Sequence, residues 1–345
     1  MTQRIKTLLR SSFGFLLAAV FLIVAFRGVD FPDLWDSLQA VDYFWIALLI
    51  PVGLLSHYVR AWRWKYLLGH VKKDISTRNL FSAVMIGYMV NNVLPRVGEL
   101  IRPYVAGKLE GFSKSTALGT VVIERIIDMM SFFVILSLVL FFVPGSLGVF
   151  MEDIQAVRPL FLLGSVAGLA IFTLLFFKSE SLVRSIRIVL KLVPGRHRTK
   201  VEGVFESFVS GFRVGAMRRE FLRIGLLSVI MWGLYALALY VPFQAFEPIA
   251  AAHLDFSAAV ILLTLSTIAF VIPVPGAFGT YHSFLKFALV SMYGIDEVTA
   301  LSFSIVTHEL GAILVVITGI YFFLKDHFKV SEVSLETSTE KPVQS

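Results

Sequence analysis

The chain has 345 residues, 57% hydrophobic and only 16% charged, with a mean hydropathy of +0.80 and a formal net charge of +7. A soluble domain normally carries about a quarter charged residues, so this is an integral membrane protein with no sizeable soluble catalytic domain. The absence of cysteine excludes disulfides, thiolate metal sites and cysteine nucleophiles, and no basic stretch is interleaved with aromatics as a nucleic-acid groove requires.

In chain order, the first apolar segment is predicted to span over 11–27, uncleaved because no small-x-small site precedes Arg27. A second span follows over 43–59, with Trp45 at one end and Trp62 and Trp64 at the other, where interfacial belts lie. The next apolar run, 79–104, is interrupted by Asn91-Asn92-Val93-Leu94-Pro95-Arg96-Val97-Gly98-Glu99, and Arg102 follows. Proline and glycine free backbone groups that lipid cannot satisfy, so such a break belongs where protein or a water-filled cavity covers it. A span over 116–142 carries Glu124, Arg125 and Asp128. Glu124 and Asp128, four residues apart, share a helical face, while Arg125 points about a quarter turn away.

Another span is predicted over 159–177, after which 178–223 is too polar to cross. There Val201, Val204, Phe205, Phe208 and Phe212 form one helical stripe, and Pro194-Gly195 divides the segment. It is expected to lie on the inner membrane surface with its basic residues toward anionic headgroups. A span over 224–243 leads to a second broken run, 258–293, interrupted by Pro273-Val274-Pro275-Gly276-Ala277-Phe278-Gly279-Thr280-Tyr281-His282 and containing Lys286. The last span, 298–324, bears His308 and Glu309, and the polar tail 329–345 is predicted to be disordered.

Six crossings and two returning segments put both termini on one side. Setting the chain start inside collects nearly all of the 31 Lys and Arg on the cytoplasmic face, Arg60 and Arg63 among them, and leaves Arg27 and Arg158 outside among acidic loops. Aligning the broken runs on Pro95 and Pro275 also matches Thr116-Ala117-Leu118 to Thr299-Ala300-Leu301, and Glu124-Arg125 to His308-Glu309. The predicted fold is an all-α polytopic bundle, one transmembrane domain over 1–328. It contains inverted repeats at 79–142 and 257–324, each with a re-entrant broken-helix hairpin.

A charge at the bilayer centre costs about 2.5 to 3.5 kcal/mol on insertion scales, so the ionisable residues of the two breaks are expected to pair or to line a wet cavity. Arg96 and Arg102 offer planar, permanently charged forks suited to phosphate, balanced by Glu99, Glu124 and Asp128. The turn Pro275-Gly276-Ala277-Phe278-Gly279 ahead of a helix from about Tyr281 offers amide donors to a second anion contact, or else is a tight corner that glycine permits. His282 and His308 read either as proton-coupling groups or as satisfied core positions. The candidate substrate-binding set is Asn91, Asn92, Pro95, Arg96, Gly98, Glu99, Arg102, Glu124, Arg125, Asp128, Pro275, Gly276, Gly279, Tyr281, His282, His308 and Glu309. H-E-x-x-H, G-x-S-x-G, P-loop and G-x-G-x-x-G signatures are missing, and no catalytic residue, metal or cofactor is assigned.

Three motifs in order, Asn92-Val93-Leu94-Pro95-Arg96-Val97-Gly98-Glu99-Leu100-Ile101-Arg102, Glu124-Arg125-Ile126-Ile127-Asp128 and Pro275-Gly276-Ala277-Phe278-Gly279-Thr280-Tyr281-His282, carry a resemblance over about residues 10–325. The chain resembles the flippase-like family that includes the transmembrane domain of lysylphosphatidylglycerol synthase. The resemblance implies a helical protein that moves a lipid between leaflets. In bifunctional members a separate soluble domain attaches the amino acid; that domain is expected to be absent here, so aminoacyl transfer does not carry over. Ala277 stands where many relatives have a second glycine and His282 where many have glutamate, which points to a subgroup with a different headgroup. Other relatives are linked to polyprenyl-phosphate sugars and to hopanoids.

The expectation is a translocase in the inner (cytoplasmic) membrane for an anionic phospholipid or polyprenyl-phosphate-linked lipid, working through a polar cavity between the hairpins. The alternative is an intramembrane transferase, or an accessory subunit of a polyprenyl-phosphate glycosyltransferase. Expected partners are membrane lipids, a second copy or a lipid-modifying enzyme, and not nucleic acid.

Overall fold

Long apolar runs become helices because a helix satisfies its backbone hydrogen bonds internally where lipid offers none. The computed structural model of the chain describes residues 3–142 and 220–328, with isolated helical positions between 159 and 170. Apart from those positions the predicted span 159–177 lies outside the described residues, as do the surface segment up to 219 and the tail 329–345.

The regular elements among the described residues are all helical. They are α1 (Gln3–Phe26), α2 (Phe31–Gln39), α3 (Tyr43–Ala47), α4 (Leu49–Leu68), α5 (Thr77–Val93), α6 (Gly98–Glu110), α7 (Lys114–Phe142), α8 (Phe221–Tyr240), α9 (Glu247–Ala251), α10 (Phe256–Val271), α11 (Thr280–Tyr293) and α12 (Glu297–Lys325), with 3₁₀ turns at Val241–Ala245 and Pro275–Ala277. Local sequence sets the limits. Asp255 and Asp296 accept the amides of Ala258 and Thr299 at 3.1 and 2.8 Å and so start α10 and α12. Gly111 and Gly294, both left-handed, end α6 and α11.

Among the described residues, four stretches are long and apolar enough to cross a bilayer: Tyr43–Leu68, Lys114–Phe142, Phe221–Ala245 and Glu297–Lys325. A fifth candidate is the pair Gly14–Phe26 and Phe31–Gln39, bent by 81°. The predicted span 43–59 is therefore too short. The helix runs on to Leu68 because Arg60 and Arg63, assigned above to a cytoplasmic loop, are buried inside the bundle with partners of their own.

The two broken runs fold as helical hairpins. Their arms, 17 and 13 residues in α5 and α6 and 16 and 14 in α10 and α11, each fall short of the roughly 20 residues of a full span. Hairpin α5–α6 is closed at its open end by Glu110, whose side chain accepts from Lys72 Nζ (2.8 Å), the Ser76 amide (3.1 Å) and Asn79 Nδ2 (2.7 Å). Measured along α12, it approaches from the C-terminal end: Ser82 Oγ donates to Asp326 Oδ2 at 2.5 Å, and Gly319 lies against Met85 and Met89. Hairpin α10–α11 approaches from the opposite end, with Lys286 on Glu297 and the tip carbonyl of Gly276 on His308. The tips meet in between. Arg96 Nη2 donates to the Val271 carbonyl at 3.1 Å, and Asn92 lies beside Gly276.

Lys286, read as a charge of the second break, is a staple for α1. Its ammonium donates to the Ala25 and Arg27 carbonyls at 3.1 and 2.7 Å and pairs with Glu297 at 2.8 Å, collecting the orphan carbonyls at a helix end. Lys286→Met should therefore destabilise the detergent-solubilised protein by about 2 kcal/mol, the cost of leaving buried acceptors unmet. Glu297→Gln should cost much less, because Glu297 is half-exposed and the carbonyl contacts survive. Unfolding curves of the two variants against wild type check the order.

Candidate functional site

A buried cluster of ion pairs gathers at Glu124, about 15 Å along α7 from Lys114. Glu124 is fully buried and serves four arginines. Arg102 makes two hydrogen bonds to it, at 3.1 and 2.7 Å, and its guanidinium lies 3.8 Å over the Trp64 ring. Arg60 Nη1 donates to Glu124 at 2.5 Å and to Asp128 at 3.0 Å, while Arg63 Nη2 reaches Asp128 at 2.5 Å and Glu124 at 3.4 Å. Arg125 stands 3.5 Å from Glu124, 3.7 Å from Asp128 and 3.4 Å from Glu99.

Helix geometry produces this meeting. Arg60 and Arg63 lie on one face of α4, and Glu124 and Asp128 lie on one face of α7. The two helices run antiparallel, with Trp64 Nε1 donating to Thr120 Oγ1 at 2.9 Å one turn away. α6 brings Arg102 from the third side. Surrounding groups complete the frame: Tyr235 Oη accepts from Arg60 Nε and Nη2 at 3.2 and 3.1 Å, and Ser228 Oγ from Arg63 Nη1 at 2.9 Å. Four guanidiniums thus face three carboxylates, an excess of one positive charge; the buried Nε–H groups of Arg63 and Arg102 meet no acceptor, and that of Arg125 has only Glu99, at 3.4 Å.

A second cluster joins the tip of hairpin α10–α11 to the middle of α12. His308 Nε2 lies 2.7 Å from the Gly276 carbonyl and its Nδ1 3.0 Å from Glu309 Oε1. His282 Nδ1 accepts the Gly279 amide at 3.2 Å, and its Nε2 stands 3.6 Å from the same Glu309 oxygen. Tyr281 packs its ring on His308 and exchanges a hydrogen bond with Thr307 at 3.2 Å. A cleft of about 180 Å³, lined by Tyr235, Ala238, Leu239, Leu263, Ser266, Tyr281 and Thr307, runs between the two clusters, since Tyr235 belongs to the first and Tyr281 to the second.

The seventeen expected residues therefore divide. Glu99, Arg102, Glu124, Arg125 and Asp128 form the arginine cluster; Gly276, Gly279, Tyr281, His282, His308 and Glu309 form the histidine cluster; Asn92, Pro95 and Arg96 form the first tip. Asn91 and Gly98 close hairpin α5–α6: Asn91 Oδ1 accepts the Gly98 amide at 2.7 Å. Pro275 packs beside Gly14 of α1, and Gly279, at φ 81°, lies so close to Ala18 and Leu22 that a Cβ would meet their backbone at 2.8 and 2.7 Å.

Two expectations change in the structure. The turn amides offered to an anion are engaged, Ala277 and Phe278 by the carbonyls of Val274 and Pro275 and Gly279 by His282. Arg102, expected to hold phosphate with the acidic face balancing it, has its fork engaged by Glu124.

Arg60 and Arg63 were missed as site residues. A positive charge next to the end of an apolar run looks like a topology signal. The spacing Arg60-x-x-Arg63-Trp64 inside a continuous helical pattern was the available clue.

The family described as the lysylphosphatidylglycerol synthase TM region matches residues 11–319. Among curated proteins, a UPF0104 membrane protein of Methanocaldococcus jannaschii is 31% identical over 143 residues, 40% of this chain and 41% of that protein. A UPF0104 membrane protein of Methanothermobacter thermautotrophicus is 25% identical over 286 residues, 76% of this chain and 78% of that protein. No solved structure matches.

Proposed function

The chain belongs to the family of the lysylphosphatidylglycerol synthase transmembrane region, and on that premise we propose that it is a lipid translocase for a phosphate-bearing headgroup. The observation that carries this reading is the charge imbalance of the arginine cluster: four guanidiniums against three carboxylates among apolar helices, with the buried Nε–H groups of Arg63 and Arg102 lacking an acceptor. A cation excess in a low-dielectric interior calls for an anion, and guanidinium forks take phosphate bidentately. Arg60, Arg63 and Arg102 are the frame, fixed by Glu124 and Asp128. Arg125, with 40% of its side chain exposed, and the exposed Arg96 at the first tip are the cations a headgroup meets.

In this reading the two hairpins are re-entrant elements of an inverted repeat. Their approach to α12 from opposite ends supports it. The headgroup crosses where the tips meet while the acyl chains stay in lipid. The cytoplasmic placement of both termini rests on the lysine and arginine bias, which survives the removal of Arg60 and Arg63 from the loop count.

The test is reconstitution in vesicles carrying fluorescent phosphatidylglycerol, with external quenching as the readout. The double variant Arg96→Ala, Arg125→Ala should slow movement by roughly tenfold or more, the loss of one charge-assisted contact or more to phosphate. A rate equal to wild type would remove both arginines from the mechanism. Lipid extracts of a deletion strain separate synthesis from movement: a missing lipid species supports a transferase, unchanged amounts with altered leaflet exposure support translocation.

A further inference from the structure

We propose that the His308–Glu309 pair holds one exchangeable proton whose presence favours passage of the anionic headgroup, so that lipid movement is coupled to protons; this rests on the translocase reading. His308 has an oxygen on each side, the Gly276 carbonyl at Nε2 (2.7 Å) and Glu309 Oε1 at Nδ1 (3.0 Å). A carbonyl only accepts, so Nε2 keeps its hydrogen. One more proton then lies between Nδ1 and Oε1. Whether it sits on nitrogen or on oxygen, the pair is neutral overall: imidazolium with carboxylate, or imidazole with carboxylic acid. When it leaves, a nitrogen lone pair faces a carboxylate at 3.0 Å and the junction gains one negative charge.

His282 is wired the other way. Its Nδ1 accepts the Gly279 amide, so its hydrogen is on Nε2, 3.6 Å from the same Glu309 oxygen. Glu309 therefore has a second donor to turn to once the shared proton has gone. The ionisable groups facing the pair are His282 and Tyr281 from α11; Phe270 and Phe278 supply the remaining ring contacts, and Arg96 of the first tip holds the carbonyl of Val271, the residue after Phe270. Both histidines are buried, whereas 36% of the Glu309 side chain is exposed, which makes Glu309 the group that exchanges with the outside.

The position gives the proton its consequence. The pair ties the second tip to α12, and Arg96 of the first tip binds the Val271 carbonyl beside Phe270, whose ring lies against His308, so a phosphate held at Arg96 would approach a neutral junction when the proton is bound and a carboxylate when it is not. Proton and headgroup then favour each other's binding, and linkage makes the effect reciprocal. The ligand atoms of His282, His308 and Glu309 also lie within 4.8 Å of one another, a spacing open to a metal ion. A metal would need a bare Nε2 on His282, and that nitrogen carries the hydrogen. The donor pattern thus selects a proton.

The experiment compares rates of fluorescent phosphatidylglycerol movement in vesicles at about pH 5.5 and about pH 8, the range over which histidine chemistry changes charge. Wild type should be roughly tenfold faster at the acidic value, and the ratio should fall to about one in Glu309→Gln and in His308→Gln, whatever their absolute rates. Infrared difference spectra of wild-type protein should show a carboxylate or carboxyl band that changes with pH and that Glu309→Gln lacks, a readout independent of transport and of which atom carries the proton. Movement that ignores pH in wild type, or a ratio unchanged in Glu309→Gln, overturns the coupling alone. No movement at any pH overturns the translocase reading and the coupling with it. Stoichiometric zinc retained by purified protein and lost in Glu309→Gln also overturns the proposal, in favour of a metal site.

Discussion

Glu124→Ala is expected to destabilise the protein more than any other single carboxylate removal. The substitution leaves Arg60, Arg63 and Arg102 buried with Asp128 as the one remaining carboxylate for the first two and none for Arg102. Breaking a buried pair by removing one partner costs about 3 to 5 kcal/mol, because the orphan charge stays desolvated. Here the orphan is chiefly Arg102, which lies over Trp64 and has no other carboxylate within the cluster. Glu124→Gln should fall between, since an amide oxygen still accepts. The double variant Arg102→Leu, Glu124→Leu should recover part of the loss, as apolar replacement of a whole buried pair often does. Unfolding in detergent, with Glu247→Ala as an exposed control, reads all four. If Glu124→Ala proved as mild as Glu247→Ala, the arginines would have to be satisfied by something other than this carboxylate.

Such a cluster links stability to function. A bundle that only needed stapling would do as well with matched charges or with none, since buried pairs are at best weakly stabilising. The fourth arginine and the unmet Nε–H groups go beyond stapling. Glu124 therefore has two jobs in one place: it holds three arginines in a fixed array, and it leaves the array one negative charge short.

Much of this architecture was legible in the sequence because membrane burial acts on local patterns. Four of the predicted spans coincide with apolar helices, and both proline-broken runs turn back on themselves as hairpins. The acidic face of α7 was readable from the four-residue spacing of Glu124 and Asp128, and its pairing with Arg102 followed from charge alone. What escaped was tertiary. Arg60 in the cluster and Lys72, which lies beyond the end of α4 and binds Glu110, both read as charges following an apolar run. Likewise the glycine-rich turn reads as an anion nest until α1 is seen packed on Gly279, with His282 already taking its amide. A lysine inside a broken run looks functional until two carbonyls at the end of α1 and the Glu297 carboxylate account for it.

Among the described glycines the tightest steric constraint lies at Gly98, and Gly98→Ala should abolish folding yield and, with it, the lipid movement proposed above. α5 and α6 cross so closely there that an added Cβ would overlap the Gly87 carbonyl oxygen and lie 2.7 Å from Asn91 Oδ1, the atom that accepts the Gly98 amide. Neither neighbour is the free end of a flexible side chain, so the helices must part or the Asn91 bond must break. Gly87 faces the same crossing, where a Cβ would stand 3.0 Å from Arg102 Cβ. Arg102 sits one turn beyond Gly98, so separation of the hairpin arms pulls its fork away from Glu124. The loss should exceed about 3 kcal/mol, above the usual range for overpacking, because steric conflict and the broken ion pair add. Gly225→Ala in α8, where nothing lies within 4 Å of the new methyl, is the matched control and should be neutral or slightly stabilising. A Gly98→Ala protein that folded and moved lipid as well as Gly225→Ala would mean that the first hairpin is not closed at this residue, and that Arg102 is delivered to Glu124 by some other path.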